Sequence, residues 1–147
     1  MAEFKWSGYK AAASTYLSTE LNSLLNGANK LGAEVDNSTN LYMFEDLEIY
    51  IATLDLSAAT NPHIKIYLLI SQDGTNYPDG SDSIDPVETN AVYSAALRKA
   101  NSAHRAIIRG VVLPPGKFKY LIQNQAGADL PASGNTLKRR SYNTQSV

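Results

Sequence analysis

The sequence predicts an all-β domain, an antiparallel β-sandwich for which a jelly roll is one candidate arrangement. Between residues 41 and 142, apolar and polar side chains alternate in several short runs, the pattern of strands with one buried face. Clusters of Gly, Pro, Asn and Asp separate these runs, which gives about seven to nine strands at the spacing typical of sandwiches. A long polar segment, residues 71–90, fits a jelly roll, although alternation does not determine strand order.

Composition limits the classes of function. The 147 residues favour one domain with an ordinary core. Charged residues make up 18% of the chain, below the usual quarter or so, and we therefore expect partners to cover part of the surface. The net charge of −1 offers no general attraction to nucleic acid or to an anionic membrane. Cysteine is absent, which excludes disulfides, thiolate metal sites and Cys nucleophiles.

We expect a soluble product made in the cytoplasm. No apolar run approaches the ~20 residues of a membrane span, and the first residues, MAEFKWSGYK, lack the apolar segment of a signal peptide. Neither a membrane nor nucleic acid is expected as a partner.

Residues 1–14 are predicted to form an extended N-terminal arm, because they show no sustained helical or strand period. The arm carries Phe4, Trp6 and Tyr9, and exposed aromatic side chains of this kind are frequent anchors of interfaces. They can fold back on their own domain or lie on a neighbouring subunit, and both alternatives remain open. The sandwich is expected to span residues 15–142, followed by a loose tail, residues 143–147.

The segment from Thr15 to Val35 is ambiguous. Its leucines recur at helical spacing, but Asn26-Gly27 and Gly32 interrupt the pattern. Since Asn-Gly strongly favours a tight turn and Gly in a helix costs about 1 kcal/mol, two short strands joined at Asn26-Gly27 are preferred. A short helix, Thr15 to Leu25, is the alternative.

Two strands form the predicted centre of the sheet. The run from His63 to Ile70 alternates strongly, and a second run lies within Leu41 to Leu56. Because only residues 57–62 connect them, the two strands are predicted to be antiparallel neighbours in a hairpin.

Four further strands are predicted in the second half. A weaker one runs from Val92 to Leu97, a strong one from His104 to Leu113 and a third from Lys117 to Gln123. The Pro-Pro-Gly turn between the last two predicts a second antiparallel pair. Thr136 to Tyr142 supplies the last short strand.

The alternation also predicts the core. One face of each strand must be buried if the sheets pack on each other. The inward-facing residues are Leu47, Ile49, Ile51, Ile64, Ile66, Leu68, Ile108, Val112, Phe118, Tyr120 and Ile122.

The sequence does not predict an enzyme. The two histidines, His63 and His104, both stand near predicted strand starts, and no Ser/His/Asp arrangement follows from them. Of the carboxylates Glu45, Asp46 and Glu48, the last two lie two residues apart on one strand face, which fits a solvated face as well as acid–base chemistry. We expect no catalytic residue and no cofactor.

Loop acids raise the question of calcium. Asp73, Asp79, Asp82 and Asp85 offer oxygen ligands, but they do not follow the EF-hand spacing. We interpret them as turn-forming residues and expect no metal. The basic residues are interpreted as solvated faces or inter-subunit ion pairs: Arg98, Lys99, Arg105, Arg109, Lys138, Arg139 and Arg140.

Five strings carry a resemblance to a known group: LNSLLNGANKLGAEVDNSTN, LEIYIATLDL, IYLLISQDGTNYPDG, IIRGVVLPPGKFKYLIQNQAG and ASGNTLKRRSYN. The succession resembles small virion proteins of tailed phages and prophages, in which DGTNYPDG- and RGVVLPPG-like strings recur. The similarity extends from Leu21 to Asn143. It implies a virion structural protein, and the commonest roles of such sandwiches are capsid decoration, often as trimers, and accessory tail or fibre parts.

Two functional hypotheses follow. The first is a decoration or cement protein that binds the outside of the phage head, with copies of itself (a homotrimer) and the major capsid protein as partners and no small-molecule ligand. Its interface would use Phe4, Trp6 and Tyr9. The second is a tail- or fibre-associated accessory protein that recognises carbohydrate through loop residues Asp73, Asn76 and Tyr77.

Overall fold

The computed structural model describes residues 3–146. Residues 1, 2 and 147, which are the outermost positions of the predicted arm and tail, lie outside the described part. Within residues 3–146 no helix is long and apolar enough to cross a bilayer. The elements are β1 Phe4–Trp6, β2 Ser14–Leu17, a 3-10 turn Thr19–Leu21, β3 Asn29–Leu31, β4 Val35–Asp36, β5 Phe44–Asp55, β6 His63–Ile70, β7 Ala91–Ala96, β8 Asn101–Val112, β9 Lys117–Gln125, β10 Thr136–Tyr142 and β11 Thr144–Ser146.

The strands form a jelly roll. The first sheet has the order β2-β10-β5-β8, and the second has the order β3-β9-β6-β7 with β4 also on β9. Every pairing is antiparallel. Along the chain from β2 to β10 the strands alternate between the sheets, except for β3 and β4 and for the paired strands β6 and β7, and this is the double-sheet arrangement of a jelly roll. The predicted fold class is therefore confirmed.

Both predicted hairpins are wrong. Strand β5 lies in the first sheet and β6 in the second, and β8 and β9 are likewise separated. Alternation identifies the buried face of a strand, but a neighbour in the same sheet and a strand across the core satisfy that pattern equally well. The short connections are therefore crossovers between sheets.

The ambiguous segment forms strands, as preferred. Gly27 has φ +82°, a conformation that glycine adopts without strain. However, β2 pairs with β10 and β3 with β9, so the two short strands do not pair with each other. The Asn-Gly turn joins the two sheets.

Most of the predicted core is buried in one cluster between the sheets. Nine of the eleven residues are at most 2% exposed, and Ile108 is half-buried against the same cluster. The exception is Val112, which is 61% exposed. Gly110, with φ +68°, lies where one extra residue of β8 shifts the register against β5, and this bulge reverses the alternation. Val111 and Leu113 are therefore buried instead.

The 71–90 loop packs over the outer face of the second sheet. Tyr67, Leu69 and Leu121 form a separate buried cluster there, covered in part by Tyr77. Asp82 accepts a hydrogen bond of 2.7 Å from the backbone N–H of Leu31. The long polar segment thus buries the second face of β6 and β9.

A buried ion pair within the first sheet also contacts the second sheet. Glu45 of β5 is completely buried, whereas Asp46 and Glu48, on the opposite face of the strand, are partly exposed. Its carboxylate lies 2.9 Å from Arg139 Nε and accepts a hydrogen bond from Ser141 Oγ at 2.8 Å, and both residues are on β10. The hydroxyl of Tyr120, on β9 of the facing sheet, donates at 3.3 Å. Burial, with the nearby Glu45 charge, raises the pKa of Tyr120 well above its usual range, which keeps the hydroxyl a donor.

We expect Leu68→Ala to lower the free energy of unfolding by about 2–5 kcal/mol, since Leu68 is 2% exposed and its truncation leaves a cavity. Urea denaturation measures the change. Leu25→Ala is the matched control, because Leu25 is 61% exposed and should cost little. An unchanged midpoint for Leu68→Ala would contradict the assignment of the buried face.

Arg139→Met should cost about 3–5 kcal/mol, because it leaves the Glu45 carboxylate buried without its cation. The double variant Arg139→Met, Glu45→Gln should recover part of that loss. The matched control is Arg105→Met, which breaks the partly exposed Arg105–Glu48 pair and should cost less than about 1 kcal/mol. Equal losses for the two single variants would contradict a special role for the buried pair.

Candidate functional site

The N-terminal arm lies on its own domain, against the last strands of the chain. Strand β1 pairs with β11, with Phe4 opposite Ser146 and Trp6 opposite Thr144. The expectation of a loose tail is therefore wrong for residues 144–146. Further along the arm, Ser7 N donates to the carbonyl of Asn143 at 2.8 Å. Backbone pairing thus holds the arm in place.

Aromatic rings gather where the arm meets the first sheet. Phe44 of β5 and Tyr142 of β10 are opposite each other in the register, and their rings stack with centroids 5.6 Å apart. Trp6 makes edge-to-face contacts with both, each at 5.6 Å. Nevertheless Trp6 remains 67% exposed and Phe4 81% exposed. The arm therefore docks without burying its aromatic side chains.

The exposed apolar surface continues beyond these rings. Val112 is opposite Phe44 in the register, and Leu41 and Met43 line the same shallow depression. Leu41, Met43 and Val112 are 54%, 47% and 61% exposed. Contiguous exposed apolar surface of this kind marks interaction sites. We name it the aromatic end: Phe4, Trp6, Leu41, Met43, Phe44, Val112 and Tyr142.

Tyr9 fastens the inner part of the arm. Its hydroxyl donates to Asp46 Oδ2 at 2.5 Å, and Asp46 Oδ1 accepts the N–H of Gly110 at 2.9 Å. The Arg140 guanidinium lies 4.1 Å from the Tyr9 ring centroid, and its Nε donates to the carbonyl of Ala11. The hydrogen bond to the Asp46 carboxylate raises the pKa of Tyr9, so this donor persists through neutral pH.

Between arm and sheet lies an open cleft of about 550 Å³, here named the arm cleft. Its walls come from the arm, β5, β8 and β10: Trp6, Ser7, Gly8, Tyr9, Asp46, Arg109, Gly110 and Tyr142. A smaller depression of about 240 Å³ shares Tyr9, Asp46 and Arg109 with it and adds Lys138. The arm cleft therefore continues toward basic side chains.

The candidate residues of the loop lie on the other side of the sandwich. Asp73 caps its own turn, accepting from Asn76 N at 2.7 Å and Thr75 N at 2.8 Å. These hydrogen bonds, with that from the Asn76 side chain, hold the pKa of Asp73 far below its usual range. Tyr77 donates to Glu34 at 2.6 Å, and burial, together with Glu34, raises the pKa of Tyr77 to about 12.

The structure therefore divides the predicted site residues into two groups. It brings Phe4, Trp6 and Tyr9 to the first sheet, whereas Asp73, Asn76 and Tyr77 maintain the shape of a loop on the second. In the loop Asp85 accepts from Asn29, and Asp82 pairs with Lys30 at 2.5 Å. Among residues 3–146 no three His, Asp or Glu side chains converge as a metal-binding group.

Both histidine rings bond to backbone carbonyls. His63 Nδ1 is 2.7 Å from the oxygen of Asn61, and His104 Nε2 is 3.0 Å from that of Leu54. His104 is buried within β8 and not at a strand start. No Ser–His–carboxylate arrangement is therefore present in the described part of the chain.

The comparisons with known proteins leave the function open. No family model and no curated protein match the chain. A β-porphyranase of glycoside hydrolase family 86 from the human gut bacterium Bacteroides plebeius is 12% identical over 90% of this chain, with a TM-score of 0.42; the chain spans only 21% of that enzyme's length. TmCBM61 in complex with β-1,4-galactotriose is 12% identical, over 97% of this chain and 87% of that one, with a TM-score of 0.31. A chain in a structure of Desmodium yellow mottle tymovirus is 13% identical, over 95% of this chain and 90% of that one, with a TM-score of 0.32. Similarities this weak carry no argument about function.

Several residues of the site were not predicted. Phe44, Asp46 and Tyr142 stand on the outward faces of their strands, where alternation alone gives no reason to select them. Gly110 is the exception, because an isolated Gly inside a strand pattern indicates a bulge or a close approach of backbones.

Asp73→Asn should destabilise the protein at neutral pH, and the difference from the wild type should shrink as pH falls. The pKa of Asp73 is lower in the folded chain than the unfolded value of about 3.9, so its stabilising effect is complete above that pH and is lost below it. Thermal melts between pH 7 and pH 2 measure this. The matched control is Asp79→Asn in the same loop, for which residues 3–146 provide no hydrogen bond to the carboxylate. A difference independent of pH would contradict the role of Asp73.

Proposed function

We propose that this chain is a virion structural protein without catalytic activity, which decorates the outside of a tailed-phage head by docking through the aromatic end. The main observation behind this proposal is that Phe4 and Trp6 are 81% and 67% exposed, although they stand on a strand that pairs with its own domain and is held in place. The resemblance of the strings between Leu21 and Asn143 to virion proteins supports the choice of particle.

Docking through these side chains is favourable because aromatic surface left in water has a free-energy cost that burial in an interface removes. A buried Trp or Phe at the centre of an interface contributes 2 kcal/mol or more, and it loses little conformational entropy when its backbone is already fixed. Backbone pairing between β1 and β11 provides that fixation. The arm therefore presents preorganised anchors to a protein surface.

The proposed partners are the major capsid protein and other copies of this chain, in a homotrimer. Within residues 3–146, strand β1 pairs with β11 only, which leaves its other edge available for a strand of a partner. Two-stranded ribbons are marginal by themselves, and an added strand would stabilise this one. A tail or fibre location is the alternative, and the same surface would serve it.

Trp6→Ala and Phe4→Ala should each weaken binding to phage heads stripped of their native protein by roughly thirtyfold, the equivalent of about 2 kcal/mol. Co-sedimentation with the particles measures the affinity. The matched control is Ile84→Ala, an exposed apolar residue (55%) in the loop over the second sheet, which should bind like the wild type. Circular dichroism should show all three variants folded.

Wild-type affinity in both aromatic variants would contradict docking through the aromatic end. Deletion of residues 1–9 extends the test. If the shortened chain still binds heads and associates with itself, the arm takes part in neither interface. Analytical ultracentrifugation of the full chain and of the deleted chain measures the self-association.

A further inference from the structure

We propose that the arm cleft binds an acidic saccharide, with a pyranose ring against its aromatic walls and the sugar carboxylate at Arg109 and Lys138. The arm cleft shares Trp6 and Tyr142 with the aromatic end, but the proposed binding also uses Arg109 and Lys138, which lie outside the aromatic end. A protein on the surface of a particle could use it to attach reversibly to acidic polysaccharide.

The aromatic walls have the geometry of a corner. Tyr142 meets Tyr9 at an interplanar angle of 89° and Trp6 at 69°, with centroids 5.5 and 5.6 Å apart. All three rings line the arm cleft. Its volume of about 550 Å³ falls within the usual 300–1,000 Å³ of small-ligand sites. A pyranose has a flat C–H face that packs against an aromatic ring, and its hydroxyls can donate to the hydroxyl oxygens of the tyrosines.

The charges of the cleft favour an anion. Asp46 is already bonded to the Tyr9 hydroxyl and to the Gly110 N–H. Glu48, beside it in the adjoining depression, pairs with Arg105 at 2.7 Å. By contrast, neither Arg109 nor Lys138 has a carboxylate within 4.0 Å in the described residues. The acids are therefore engaged within the protein, while two cations remain available to a ligand.

A carboxylate suits these cations. A guanidinium can donate two parallel hydrogen bonds to a carboxylate, and an ammonium adds a point charge. A hexuronate places its carboxylate on the same ring whose C–H face stacks on the aromatic side chains. A hexuronate thus carries both of the groups that the cleft and its basic extension can bind.

Two other occupants fit the cleft less well. Single-stranded nucleic acid needs a row of cations along several phosphates, and this chain has a net charge of −1. An extended peptide would add to a sheet edge through backbone hydrogen bonds. Of the two edge strands beside the cleft, β8 is interrupted by the bulge at Gly110, and β1 offers only the three residues Phe4–Trp6.

The chain contains its own reporter. Trp6 is the single tryptophan, is 67% exposed and lines the arm cleft, so its fluorescence should respond to a ligand there. We expect a saturable change when the full chain is titrated with α-1,4-trigalacturonate or with a mannuronate trimer. The fully methyl-esterified trigalacturonate is the matched ligand without charge. It should bind about tenfold or more weakly, the usual effect of losing a hydrogen bond to a charged group.

Variants locate the site. Arg109→Gln and Lys138→Gln should each weaken binding of the acidic trisaccharides about tenfold, whereas Lys99→Gln, an exposed lysine outside the cleft, should leave it unchanged. Phe4 does not line the cleft. Phe4→Ala should therefore keep saccharide binding and lose docking to phage heads. Arg109→Gln should lose saccharide binding and keep docking. The two variants thus separate this proposal from the proposed function.

Three results would overturn the proposal: no saturable change with either acidic trisaccharide, confirmed by calorimetry; equal affinity for the methyl ester; or full affinity in Arg109→Gln. Competition experiments add a fourth. If oligodeoxythymidylate or an acidic peptide such as tetraglutamate occupied the cleft more tightly than both acidic sugars, the cleft would belong to that ligand class instead.

Discussion

The arrangement of the site depends on the buried pair between Glu45 and Arg139. A carboxylate without access to solvent is stable only with a cation and further donors, and here β10 of the same sheet supplies Arg139 and Ser141 while the facing sheet supplies Tyr120. Together with Leu47, Ile49 and Ile51 on the same face, this requirement fixes which face of β5 points inward. A slip of one residue would turn Glu45 outward and place its neighbours in the core.

The outward face of β5 then follows from the pair. Phe44 and Asp46, on either side of Glu45, must both point away from the core. Phe44 stacks on Tyr142 and receives Trp6, and Asp46 receives the Tyr9 hydroxyl. The bulge at Gly110 brings a backbone N–H to the same carboxylate. The core of the sandwich and the docking of the arm are therefore consequences of one register.

Alternation predicted the strands and most of the core, because burying one face of a strand is a local demand that each segment meets separately. It failed where contacts between distant segments decide the outcome. The connection after β5 was predicted to be a hairpin because nothing local distinguishes a neighbouring strand from a facing one. Val112 was misplaced by a bulge, and the charge of Glu45 concealed its burial. At the site, the aromatic residues of the arm could be selected from composition. Their contacts could not, since Phe44 and Tyr142 lie far along the chain.

The exposure of Phe4 and Trp6 distinguishes an arm that binds a partner from one that only stabilises its own domain. An arm that served only to stabilise its own domain would bury its large apolar side chains, since burial of such groups is the main favourable term in folding. Here β1 is held by backbone hydrogen bonds to β11 and by the Tyr9–Asp46 contact, while Trp6 and Phe4 stay largely in solvent. Polar contacts thus hold the arm, and apart from the edge-to-face contacts of Trp6 they leave most of its apolar surface in solvent. The surface is then already in place for a partner, and little ordering of the chain opposes its burial there.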